Sequence, residues 1–123
     1  MSEKRILIVD DDLDMCHLLR HSFEKEGFVV HVANDHVDFR EKAFSLNPDL
    51  IILDIVLGEE KGPIEYRRLL ADGLNDQIPV FFVSSLVEDR PESPAVPGKN
   101  YALYRKPVDL KRFIEDIKNY VSA

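Results

Sequence analysis

The longest unbroken apolar runs along the chain are four residues, as in Ile6–Val9, Leu50–Leu53 and Val80–Val83. A half-exposed strand would alternate polar and apolar side chains, so unbroken Ile, Val, Leu and Phe predict strands covered on both faces. Val29–Val32 reads as a shorter strand after the first, and Ala102–Arg105 as a fifth and last. Between the strands the period changes to that of a helix. Met15, Leu18, Leu19, Ser22 and Phe23 predict a buried face on a helix over 12–26, with Gly27 as its stop. Phe39, Ala43 and Leu46 mark a second helix that Pro48 ends, and after a polar loop from Gly58 to Gly62, Pro63 opens a third through about Ala71. Asp109 is placed to cap a final helix whose inner face is Leu110, Phe113, Ile114, Ile117 and Val121.

One stretch breaks the rhythm. Residues 86–100 carry Pro91, Pro94 and Pro97, each without a backbone donor, so no regular helix is expected there beyond a short turn between Leu86 and Arg90. Elsewhere strand and helix alternate, which predicts one α/β domain with a parallel sheet covered by helices on both faces. The expected fold is a five-stranded, doubly wound, flavodoxin-like sheet of order 2-1-3-4-5 whose fourth helix is short, irregular or absent. In that order the winding reverses between the first and third strands, and ligands bind in the crevice at their carboxyl ends.

Length and charge narrow the function. A chain of 123 residues suffices for one core and not for two, so a single domain over 1–123 is expected. A net charge of −7 opposes a polyanionic partner, and direct nucleic-acid binding is not expected. Apolar runs of four residues fall far below the roughly 20 that span a bilayer, so no membrane insertion is expected. The amino end runs into the first strand without a small-residue cleavage site, and Cys16 is the single cysteine, which predicts a disulfide-free cytoplasmic protein.

The acidic residues sit where the crevice should be. The first strand runs into Asp10, Asp11 and Asp12, and the third into Asp54, so Asp10 and Asp11 should converge with Asp54, while Asp12 is expected to cap the helix that follows. Hard oxygen donors of like charge call for Mg2+ or Mn2+, which keeps several waters and bridges to phosphate oxygens. The fourth strand leads into Ser84 and the fifth into Lys106, adding a hydroxyl and an ammonium on the same edge. A carboxylate nucleophile, a metal, a hydroxyl and a lysine together predict phosphoryl chemistry.

With these residues in place, the chain resembles along its full length the receiver domain of bacterial two-component response regulators. The resemblance implies that Asp54 is the phosphoacceptor, Asp10 and Asp11 the acidic pair, Ser84 the Ser/Thr, and Lys106, before Pro107, the lysine. It further implies that Asp11, Asp54 and the backbone carbonyl of Val56 ligate the metal, with Asp10 acting through water. The implied function is a phosphorylation-controlled signalling receiver. It takes a phosphoryl group from a histidine kinase or phosphotransfer protein, assists its own Mg-dependent phosphorylation and dephosphorylation, and changes binding to a downstream protein. The alternative is a pseudo-receiver that keeps the fold and docks constitutively.

Several residues depart from the family pattern. Gly58 stands where a proline is usual, and Leu103 stands where an aromatic commonly changes rotamer when the Ser/Thr moves. Leu103 and the prolines of 86–100 favour the pseudo-receiver; the intact acidic cluster opposes it. Other acid-rich motifs fit worse. Asp10, Asp12 and Asp14 match the start of a calcium-binding EF-hand loop, but Met15 replaces its glycine and His21 its closing glutamate. A phosphatase of the haloacid dehalogenase type would read Asp-x-Asp-x-Thr, and Asp14 holds the threonine position. His17, His21, His31 and His36 lack metal-ligand spacing beyond the i,i+4 of the first two, and Cys16 is expected to be a packing residue.

Overall fold

The computed structural model describes residues 4–57, 60–84, 101–105 and 109–122. Strands β1 (Arg5–Val9), β2 (Val29–Ala33), β3 (Leu50–Asp54) and β4 (Val80–Ser84) pair in parallel in the order β2-β1-β3-β4. Tyr101–Arg105, here β5, runs parallel beside β4, with Val83 opposite Tyr104 and Ser84 opposite Arg105. Among the described residues four helices accompany the strands: α1 (Leu13–Lys25), α2 (His36–Leu46), α3 (Gly62–Ala71) and α4 (Leu110–Ser122).

The unbroken apolar strands are covered on both faces, as their composition requires. Along β1, Leu7 and Val9 point into one core with Phe39 of α2 and Leu69 of α3, while Ile6 and Ile8 point into the other with Phe23 of α1 and Phe113 of α4. The period-2 geometry of a strand therefore splits each run between two cores. Phe113 ties the second core together, lying edge-on to Phe23 at 6.1 Å and to Phe81 of β4 at 6.3 Å between ring centroids. At about 25 cal/mol per Å2 of apolar surface, such rings carry much of the burial energy.

The helix boundaries follow local chemistry. Asp12 caps α1, its carboxylate accepting from the N–H groups of Asp14 and Met15, and Gly27 takes the left-handed φ of 92° just past the other end. Asn47, at φ 48°, turns the chain out of α2 before Pro48, so the stop expected from the proline begins one residue earlier. Pro63 lies in the first turn of α3.

Leu18, assigned from its spacing to the inner face of α1, is instead 51% exposed; the buried stripe is Cys16, Leu19 and Phe23. Successive helical residues lie about 100° apart, and the rotation of α1 that points Cys16, Leu19 and Phe23 at the sheet turns Leu18 outward. The segment read as a polar loop from Gly58 to Gly62 is partly paired: Val56 and Leu57 form a short antiparallel ladder with Lys61 and Glu60, and α3 already begins at Gly62. Residues 86–100, including Pro91, Pro94 and Pro97, lie outside the described residues, and so does any fourth helix expected there.

Tyr66, on the inner face of α3, packs edge-on against Phe82 of β4 at 6.2 Å. Burial, and to a lesser degree the charge of Asp76, pushes its phenol above the ordinary value of 10.0. A raised folded-state value means that the stabilisation is complete below pH 10.0 and is lost as pH rises through the higher folded value. Chemical denaturation midpoints should therefore fall more steeply above that pH in wild type than in Tyr66→Phe. Equal slopes would show that the phenol does not ionise in step with unfolding.

Candidate functional site

The end of β1 builds the first half of the site. Asp10 follows the strand directly, and its N–H donates to the Ala33 carbonyl at 3.1 Å, adding one rung to the ladder with β2. Its Oδ1 accepts from the Asp12 N–H at 2.9 Å, a turn that leads the chain into α1. The Asp12 carboxylate caps the helix, its Oδ1 accepting from the N–H groups of Asp14 at 3.1 Å and Met15 at 3.2 Å. It is a cap rather than a ligand, which also removes it from the calcium-loop pattern.

The end of β3 builds the second half. Asp54 is the last residue of the strand, opposite Val83 of β4, and it is 4% exposed, as is Asp10; Asp11 faces solvent. One carboxylate oxygen from each of Asp10, Asp11 and Asp54 lies within 4.8 Å of the other two. The convergence expected from the strand ends is therefore present. If both are ionised, the buried pair Asp10 and Asp54 repel by on the order of 3 kcal/mol at an effective dielectric constant near 20. Such a set is satisfied by a cation, and three hard oxygen donors at an open strand edge fit Mg2+, which holds few protein carboxylates and keeps waters.

Backbone contacts fix where Asp54 stands. The Ile55 N–H donates to the Val83 carbonyl at 2.9 Å, and the Ile55 carbonyl accepts from the Gly62 N–H at 2.8 Å. The chain leaves β3, passes through the short hairpin and returns with α3 against the same strand end. A Cβ on Gly62 would sit 2.1 Å from the Asp54 carbonyl oxygen and 3.1 Å from Leu53 Cγ. Only a residue without a side chain allows this approach. No sequence signal pointed to it, because Gly62 reads as the end of a polar loop and its role depends on a strand end eight residues earlier in the chain.

Ser84 ends β4 one residue beyond the partner of Asp54, at the same sheet edge; its side chain lies outside the described residues. Lys106, directly after the last residue of β5, is outside them altogether. Val56 opens the short hairpin two residues after Asp54. Leu103 lies in β5 opposite Phe82, with its side chain outside the described residues. Among the described residues, Asp10, Asp11 and Asp54 are the group of His, Cys, Asp or Glu side chains able to share an ion, and none of the four histidines joins them.

A family model described as "Response regulator receiver domain" matches residues 6–118. The chain belongs to this family. The receiver is 30% identical over 118 residues to the polar-differentiation response regulator DivK of Brucella anthropi, covering 96% of both chains. It is also 30% identical over 116 residues to the DNA-binding dual master transcriptional regulator RpaA of Synechocystis, covering 93% of this chain but 47% of that protein. The receiver thus spans about half the length of the second relative and nearly all of the first. A CheY-like receiver from Methanospirillum hungatei superposes with a TM-score of 0.83 at 25% identity, covering 98% of this chain and 95% of that one. A two-component response regulator from Clostridium difficile gives 0.83 at 25% identity, with coverage of 98% and 97%.

The receiver works by phosphorylation-driven signalling, and its Asp10, Asp11 and Asp54 cluster matches the Mg2+ site of such domains. Its carboxylates take part in the domain's own phosphorylation and dephosphorylation rather than in turnover of a separate substrate. Among the described residues no helix is long and apolar enough to cross a membrane.

Proposed function

We propose that Asp54 is the residue that takes the phosphoryl group, donated by a histidine kinase or phosphotransfer protein in the cytoplasm. The observation that carries this assignment is the placement of Asp54 at the carboxyl end of a central strand, buried, with the oxygens of Asp10 and Asp11 within 4.8 Å. A carboxylate oxygen of Asp54 attacks phosphorus, the bond from phosphorus to the donor breaks, and the donor leaves with that electron pair. Asp11, Asp54 and the Val56 carbonyl would hold Mg2+, with Asp10 acting through water. When bound, the ion neutralises charge on the transferring oxygens. Ser84 donates a hydrogen bond to the new phosphoryl group and Lys106 pairs with it.

The strand at 101–105 completes a five-stranded doubly wound sheet of order 2-1-3-4-5, and residues 1–123 act as one receiver unit. The output is altered binding to a downstream protein. The net charge of −7 argues against direct contact between this unit and nucleic acid, although the name of the Synechocystis relative describes a DNA-binding protein about twice as long.

Incubation with acetyl phosphate and Mg2+, followed by mass spectrometry of the intact protein and its peptides, should show one added phosphoryl group at Asp54, and none when the metal is chelated before the donor is added. Bound Mg2+ without any added mass would make the chain a constitutive docking module instead.

A further inference from the structure

The carbonyl of Asp10 has two side-chain donors from elements outside its own strand. Asn34 Nδ2 donates to it at 2.9 Å and the Cys16 thiol at 3.3 Å. Asn34 follows β2 immediately, ahead of Asp35, the cap of α2, and Cys16 lies in the second turn of α1. The two donors also meet each other, Nδ2 standing 3.7 Å from Sγ.

Their place in the ladder explains the arrangement. The regular pairing of β1 with β2 ends at Val9 and Ala33, and the Asp10 N–H makes one further bond to Ala33. In a parallel ladder the next rung would take the Asp10 carbonyl to a backbone N–H two residues beyond Ala33. That residue is Asp35, where the chain turns into α2. Side chains occupy this carbonyl, so the peptide joining Asp10 to Asp11 is held from the β2 side by an amide and from the α1 side by a thiol.

We infer that Asn34 and Cys16 are positioning residues for the acidic cluster: by pinning the Asp10 carbonyl they fix the peptide from which the Asp10 and Asp11 carboxylates project toward Asp54. A rotation of that peptide would carry both carboxylates, because one lies on either side of it. Neither residue belongs to the cluster of Asp10, Asp11 and Asp54 that can share an ion. Their effect is therefore on metal affinity, in the way that outer contacts orient the groups that ligate a metal. The inference rests on the reading of this cluster as the phosphoacceptor and Mg2+ site.

The test compares wild type, Asn34→Ala, Cys16→Ala, their combination and Cys16→Ser. Mg2+ dissociation constants are measured calorimetrically without a phosphodonor, and phosphorylation by acetyl phosphate is then followed against Mg2+ concentration. The double variant should bind Mg2+ about 10-fold more weakly, with each single variant between it and wild type. Its phosphorylation rate at saturating Mg2+ should stay within about two-fold of wild type, a shift in metal requirement rather than in maximal rate. Cys16→Ser, which keeps an O–H donor, should retain wild-type affinity. Lowered thermal stability with unchanged Mg2+ affinity would overturn the inference, since the two bonds would then serve only the fold. Should the double variant not fold, Asn34→Ala carries the same comparison. Wild type that binds Mg2+ but gains no phosphoryl group would overturn the functional reading while leaving the affinity comparison intact; wild type that binds no Mg2+ would overturn both.

Discussion

Asp54→Asn should gain no phosphoryl group from acetyl phosphate at any Mg2+ concentration, a loss beyond detection rather than a slowing. The amide oxygen that replaces the carboxylate is a poor nucleophile toward phosphorus and cannot form the acyl phosphate that mass spectrometry would read. The same substitution should change the response of the fold to metal. In wild type, Mg2+ at about ten times its dissociation constant should stabilise the native state by roughly 1.4 kcal/mol through mass action, visible as a raised thermal midpoint. The substitution removes one of the three clustered carboxylates, so most of that shift should vanish. Thermal scans with and without Mg2+ check both statements. Undiminished phosphorylation of the variant at the same stoichiometry would move the nucleophile elsewhere.

Gly62→Ala should be the most damaging methyl group that can be added near the site. Its Cβ would lie 2.1 Å from the Asp54 carbonyl oxygen, a backbone atom with no rotamer to escape into, and 3.1 Å from Leu53 Cγ. Overpacking of this kind typically costs about 1–3 kcal/mol, and a clash with backbone belongs at the upper end. Relief requires either that α3 moves away from β3, breaking the Gly62 N–H to Ile55 carbonyl bond, or that the strand end carrying Asp54 is displaced. Denaturant midpoints should fall accordingly, and Mg2+ affinity should fall in whatever fraction remains folded. Gly27→Ala supplies the contrast. Nothing lies within 4 Å of a Cβ there, so its cost comes from the left-handed φ of 92° alone, about 1 kcal/mol, with metal affinity unchanged. Equal losses of Mg2+ affinity in the two variants would show that Gly62 has no special bearing on the site.

The elements set by local periodicity were legible before any coordinates. Unbroken runs such as Ile6–Val9 and Leu50–Leu53 can be satisfied only when both faces are buried, and the two cores on either side of β1 meet that demand. The cap Asp12, the stop at Gly27 and the start at Pro63 act through bonds or torsions within a few residues. The parallel order β2-β1-β3-β4 follows from right-handed crossovers, and it brings together the strand ends that carry Asp10, Asp11 and Asp54.

What the sequence could not determine were contacts whose partners are distant in the chain and lack a periodic signature. Leu18 and Leu19 are equally apolar, and the rotation of α1 on the sheet chose the second because Cys16 and Phe23 share its side. Gly62 looks like any loop glycine until α3 is laid against the end of β3, and Cys16 looks like a small packing residue until its thiol reaches the Asp10 carbonyl. Asn34 has no local task that distinguishes it from other polar residues before a helix. Its bond to Asp10 spans 24 residues and exists only because β2 lies beside β1. Sequence alone determined which carboxylates meet, since strand ends and topology suffice for that. Tertiary packing decided how they are held, because hydrogen-bond directions and a 2.1 Å steric limit depend on three-dimensional placement that no spacing rule encodes.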